Sequence, residues 1–150
     1  MGMDVYGRDP FSDKGEHFRN NIWWWRPLAD YCNRIAPDIC RACEHWYHND
    51  ADGLQEHDAV ALADVLDEHI QSGQTLLYEK SFSEMQESAP DEPCDKCHGT
   101  GVDPWKSDAK CPLCQGTGSV EAFIRWYSFS VENVKEFVEF LRGCGGFRIC

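Results

Sequence analysis

Apolar and polar residues alternate in Met3-Asp4-Val5-Tyr6, the pattern of a short extended segment, and turn signals follow at Gly7, Asp9-Pro10 and Lys14-Gly15. Ile22-Trp23-Trp24-Trp25 reads either as a strand or as the entry to a helix. The spacing of Leu28, Tyr31 and Ile35 predicts a helix that starts at Pro27, a residue suited to the first helical position, and ends at Pro37. Pro37 also suits the start of a further helix, one that would carry Ile39, Cys43, Trp46 and Tyr47 before the turn cluster at 49–53. The clearest stripe is Ala59, Leu62, Ala63, Leu66 and Ile70, bounded by Asp58 as N-cap and by Gly73 just past the end. A second acidic helix is predicted over 75–87, with Leu77, Phe82 and Met85 turned inward, and Pro90 and Pro93 close it. Beyond a cysteine-rich stretch, 120–129 reads as a strand and Ser130 caps a helix carrying Val134, Phe137, Val138 and Leu141. Phe147–Ile149 then forms a last short strand.

These periods predict an α+β fold: a small helical domain with a short sheet, and a β-ribbon inserted at 94–118. One domain over 1–150 is expected at this length. Hydrophobic residues at 42% and aromatics at 13% supply a core and exclude wholesale disorder. No run approaches the ~18 apolar residues that a membrane span needs. The first eight residues lack a signal-like apolar stretch, and Tyr6 stands where a myristoylation motif wants Ser or Thr. A soluble protein of a reducing compartment, the cytoplasm, is the expectation.

Charge changes the picture. The net formal charge is -12, and residues 38–92 hold fourteen carboxylates against only Arg41 and Lys80. The rest of the chain is balanced, so the middle third carries the whole excess. Such a surface repels a phosphate backbone and disfavours nucleic acid as a partner. It suits a basic protein partner, which it would attract by steering. The candidate partner-binding residues are Asp64, Asp67, Glu68, Glu79, Glu84 and Glu87, with Trp24 as the candidate aromatic anchor. A plainly solvated helical face is the alternative reading of the same carboxylates.

The strongest chemistry is a doubled motif. Cys94-Asp95-Lys96-Cys97-His98-Gly99-Thr100-Gly101 and Cys111-Pro112-Leu113-Cys114-Gln115-Gly116-Thr117-Gly118 both spell C-x-x-C-x-G-x-G. Two residues between cysteines let both thiolates reach one ion from a tight turn, and the following glycines permit positive φ, so backbone N–H groups can aim at sulfur. Two such knuckles supply Cys94, Cys97, Cys111 and Cys114, the tetrahedral four-sulfur set of one structural Zn²⁺ with no position left for water. A pair of disulfides is the competing reading.

The doubled motif resembles the zinc-binding region of DnaJ-type chaperones over residues 94–118. That family carries four such repeats where this chain has two, and no His-Pro-Asp tripeptide occurs here, so the resemblance implies the zinc element and not the co-chaperone role. Arg19-Asn20-Asn21-Ile22-Trp23-Trp24-Trp25-Arg26-Pro27, Phe129-Ser130-Val131-Glu132-Asn133-Val134 and the tail Gly145-Gly146-Phe147 resemble small uncharacterised proteins of phages and prophages. This second resemblance implies a setting, the cytoplasm of a host cell, and no activity.

A weaker constellation is Cys40, Cys43, His45 and His48, a C-x-x-C followed by two histidines. On a continuous helix Cys40 and His48 would share a face while Cys43 and His45 turn away, so a second metal site would require a break in that helix. A redox dithiol and simple packing residues are the alternatives. No phosphate-binding glycine loop, G-x-S-x-G elbow or H-E-x-x-H is present. The expected function is therefore a non-enzymatic zinc protein acting through protein–protein contacts, as a phage-encoded inhibitor or adaptor of a host defence or nucleic-acid-handling protein. Two alternatives stand beside it. One is a nucleic-acid-binding zinc module using Lys96, Lys106, Lys110 and Trp105; the other is an enzyme whose site leaves no trace in sequence.

Overall fold

A computed structural model describes residues 2–150. The chain is α+β and its described residues divide into two compact units, one formed by residues 2–82 and 127–150, the other by 83–126. In the first unit, β1 (Gly2–Gly7) lies between β2 (His17–Asn21) and β7 (Phe147–Ile149) in an antiparallel sheet of order β2-β1-β7. Val5 pairs with Phe18 on one side and with Ile149 on the other, so the two ends of the chain meet in this sheet. The short helix α1 (Asp13–Glu16) joins β1 to β2, a strand that the sequence pattern did not announce because only Phe18 in it is buried.

α2 (Ile22–Ile35) settles the tryptophan run as helical. The Asn21 side chain accepts from the N–H groups of Trp23 and Trp24 and caps a helix that starts five residues before the expected Pro27. Pro27 sits inside the helix and offers no N–H to the carbonyl of Trp23. That carbonyl accepts instead from the N–H of Ser128 at 3.0 Å, so the lost helical bond is replaced from another segment of the same unit. Trp25 is fully buried, while Trp23 and Trp24 are half-exposed.

The helix after Pro37 is much shorter than predicted. α3 spans Pro37–Cys40, and Cys43, Trp46 and Tyr47 lie in a loop. After turn bonds at 41–43, the Asp52 carboxylate captures the N–H groups of Glu44 and His45 at 2.7 and 2.9 Å, an alternative to helical bonding that keeps the following residues out of a helix. α4 (Glu56–Gln71) buries Ala59, Leu62, Ala63 and Leu66 as expected, although its cap is Gln55 rather than Asp58.

α5 (Gln74–Ser88) begins in the first unit, and its last turns belong to the second. Its inward residues are Thr75 and Phe82, not Leu77 and Met85, which are exposed. Thr75 is completely buried because its hydroxyl bonds Tyr31 Oη at 3.0 Å, so a polar residue occupies a position that hydrophobicity alone would not assign to the interior. The predicted strand at 120–129 shrinks to β6 (Ser119–Val120) followed by a 3-10 turn, Phe123–Trp126.

α6 (Val131–Gly143) starts where predicted, with Ser130 Oγ accepting from the N–H of Asn133 at 3.1 Å. The core of this unit is aromatic: Phe18, Trp25, Phe137, Phe140 and Phe147 pack together, and Trp25 Nε1 donates to the Trp46 carbonyl at 2.6 Å. The second unit contains β3 (Glu92–Pro93) paired with β6 and a hairpin of β4 (Val102–Asp103) and β5 (Lys106–Lys110). Its buried residues are the four cysteines, Gly101, Gly118 and Ala122.

Candidate metal centre

The two knuckles adopt the same backbone. His98 and Gln115 have φ of 51° and 53°; Gly99, Gly101, Gly116 and Gly118 have φ of 80°, 76°, 93° and 77°. The hydrogen bonds repeat as well. Thr100 and Thr117 each donate both N–H and Oγ1–H to the carbonyl of the second cysteine of their own knuckle, at 3.1 and 2.8 Å in both copies. The N–H of Cys94 donates to the Gly118 carbonyl and the N–H of Cys111 to the Gly101 carbonyl, both at 2.9 Å, so each knuckle is tied to the end of the other. A methyl group at Gly101 would lie 2.5 Å from the carbonyl oxygen of Gly116, and one at Gly118 would collide with that of Gly99. Both positions thus require glycine for the close approach as well as for the positive φ.

This arrangement brings the four sulfurs to one point. Cys94 Sγ and Cys111 Sγ are 3.8 Å apart, Cys97 Sγ and Cys114 Sγ 3.7 Å, and all four lie within 4.8 Å of one another. A disulfide would need about 2.05 Å. A tetrahedron of sulfurs around an ion at ~2.3 Å has an edge of about 3.8 Å, which the Cys94–Cys111 and Cys97–Cys114 separations match. Four buried cysteines in this geometry could hold one metal ion.

The electrostatics favour anionic sulfur at the second cysteine of each knuckle. Burial raises the Cys114 thiol, but the N–H groups of Gly118 and Gly116 outweigh it and bring the group down to about 6. Gly101 N–H, 3.2 Å from Cys97 Sγ, acts likewise against burial and lowers Cys97. Cys94 is pushed up to about 11, chiefly by burial. A cation among the four sulfurs would favour their deprotonation and release the remaining protons.

Cys40, Cys43, His45 and His48 do not converge in this way. Among the described residues, the four ribbon cysteines are the one group of three or more metal-type donors gathered within 4.8 Å. Cys40 and Cys43 are buried thiols, each pushed up to about 12 by burial, and hence protonated at neutral pH. His45 faces Asp50 at 3.4 Å and stacks edge-on to His48 with ring centroids 6.0 Å apart. The short α3 breaks the helix as a second site would require, but the break turns the histidines outward, and both are exposed.

The acidic candidates divide by role. Arg142 pairs with Asp64 at 2.8 Å and with Asp67 at 3.6 Å, and Glu79 accepts the N–H of Val131 at 2.8 Å at the start of α6. Glu68, Glu84 and Glu87 are exposed and make no ion pair among the described residues. Trp24 lines an open hollow of about 490 Å³ with Asn20 and Asn133, whose amides bond each other reciprocally at 3.1 and 2.8 Å. The threonines are the functional residues that spacing alone missed; their signal was present, since Thr100 and Thr117 occupy the same place in both copies. No helix among the described residues is long and apolar enough to cross a membrane. No family model matches the chain, and neither a curated protein nor a solved structure shows significant similarity to it.

Proposed function

We propose that this chain is a non-enzymatic zinc-binding protein that works by contacting another protein. Cys94, Cys97, Cys111 and Cys114 would hold one Zn²⁺, and four sulfur ligands leave it a structural rather than a hydrolytic ion. When bound, the ion contributes the cross-link that fixes the two knuckles face to face. The observation that carries the partner reading is the concentration of net charge in residues 38–92, which favours a basic protein surface. Among the six helical candidates, Glu68, Glu84 and Glu87 are exposed without an ion pair among the described residues, whereas Asp64 and Asp67 pair with Arg142 and Glu79 accepts the N–H of Val131. Trp24 offers an aromatic anchor in the first unit. Thiolate ligation suits a reducing cytoplasm, the phage and prophage resemblance suggests a host cell as the setting, and an acidic protein-binding surface there suits an inhibitor or adaptor of a host defence or nucleic-acid-handling protein.

The test is affinity capture from the native host with tagged wild type and with the triple variant Glu68→Gln, Glu84→Gln, Glu87→Gln. The expected result is a basic partner retained by wild type and lost by the variant at moderate salt. Equal retention would overturn the acidic-surface reading. A second reading is favoured by one observation: Trp105 is 86% exposed in the turn between β4 and β5, next to Lys106. That tip resembles a stacking platform for single-stranded nucleic acid, and Lys96 and Lys110 are exposed in the same unit. A gel shift that weakens steeply with salt and disappears in Trp105→Ala would favour it; no shift at low salt would remove it.

A further inference from the structure

The unit 83–126 buries no large apolar side chain, yet it exposes several around one depression. A groove of about 660 Å³ runs beside the second knuckle. Leu113, Phe123 and Trp126 form its apolar walls and are 58%, 50% and 55% exposed. Glu92, Asp95 and Glu121 stand around them, and no lysine or arginine lines the groove. Clustered apolar exposure of this kind rimmed by polar groups marks interaction sites. The floor is stiff: Cys114 and Thr117 belong to the knuckle, and Thr117 Oγ1 bonds the carbonyls of Cys114 and Ser119 at 2.8 and 2.9 Å. A preformed groove loses little entropy when it is filled.

We propose that this groove docks a short protein segment bearing one large apolar side chain flanked by lysines or arginines. The proposal rests on the protein-contact reading above and gives it a place and a ligand chemistry. The apolar walls select the central side chain, as in hydrophobic anchoring of a peptide. The three carboxylates select its basic neighbours and speed encounter, and they disfavour nucleic acid and anionic lipid.

The test uses the full zinc-loaded chain and a synthetic peptide with a central Leu-Phe flanked on each side by two lysines. Two control peptides carry glutamates in place of the lysines, or serines in place of Leu-Phe. Amide chemical shifts should move at residues 113–126 with the lysine peptide. Affinity should fall by about tenfold or more in Leu113→Ser and in the triple variant Glu92→Gln, Asp95→Asn, Glu121→Gln, each variant retaining one zinc per chain. Both control peptides should bind at least about tenfold more weakly, and added salt should weaken the lysine peptide. Equal binding of the glutamate peptide, unchanged binding by both variants, or shifts confined to other residues would overturn the proposal. So would a dimer of the wild type that dissociates in Leu113→Ser, since a second copy would then be the occupant. Capture of a host partner by both groove variants as efficiently as by wild type would overturn the groove while leaving the protein-contact reading intact. Failure of wild type to capture any host protein, with peptide binding still selective, would do the reverse.

Discussion

The two units of this chain solve the problem of small size in opposite ways. The first buries Trp25, Tyr31, Phe137, Phe140 and Phe147 completely, and such rings each remove a large apolar area from water. The second buries cysteines, glycines and one alanine, with Val120 packed against the sulfurs. A segment of that size without a core ordinarily needs a metal or disulfides to hold a single structure. The comparison teaches that the second unit gathers four cysteines that could hold a metal ion where the first has an aromatic core, while its large apolar side chains stay partly exposed. The stability of the first should therefore depend on packing, and that of the second on ligation.

The sharpest way to break the contrast is to remove one ligand. Cys97→Ser or Cys114→Ser should collapse residues 83–126, because structural zinc sites contribute ~10–16 kcal/mol of apparent binding free energy in small domains. Amide dispersion should vanish there and persist at 2–82 and 127–150. The converse change, Trp25→Ala, should cost about 3–5 kcal/mol in the denaturant unfolding of the first unit without altering metal stoichiometry. Gly101→Ala sharpens the comparison within the ribbon: a positive φ of 76° and the close Gly116 carbonyl together oppose a side chain. Backbone strain alone is about 1–2 kcal/mol, so a competition titration with a chelator should show weakened metal retention by at least about tenfold.

The smallest expected effect concerns Asp52. Burial would raise its carboxyl, but N–H groups of Gly53, His45 and Glu44 hold it below its ordinary value. A depressed carboxyl contributes stability above its unfolded pKa and loses it as pH falls through the folded one. Thermal melts of the first unit should therefore weaken below about pH 4, and Asp52→Asn should flatten that dependence.

Legibility followed the range of the interactions. α4 and α6 were readable because an apolar stripe and nearby caps define them locally; Ser130 is both visible in sequence and used in the structure. The clustering of the four ribbon cysteines was readable because the repeat is local and its copies match residue for residue in geometry. Elements set by distant partners were not. α2 begins at Ile22 with Pro27 inside because Ser128 satisfies the Trp23 carbonyl a hundred residues away in the chain, and no helix carries Trp46 and Tyr47 because Asp52 captures the N–H groups of Glu44 and His45. The inward face of α5 was misread because Thr75 is buried through Tyr31, a partner that periodicity does not reveal. The same limit applied to Asp64, Asp67 and Glu79, whose fold-internal partners come from α6.

The account turns on four sulfurs binding one ion, and cobalt substitution reads this directly. Titration of the metal-stripped, reduced chain with Co²⁺ should produce the intense visible absorption of tetrahedral thiolate coordination, saturate at one ion per chain, and be quenched by one equivalent of Zn²⁺. Absence of that absorption from a chain whose residues 83–126 are already folded would contradict the account.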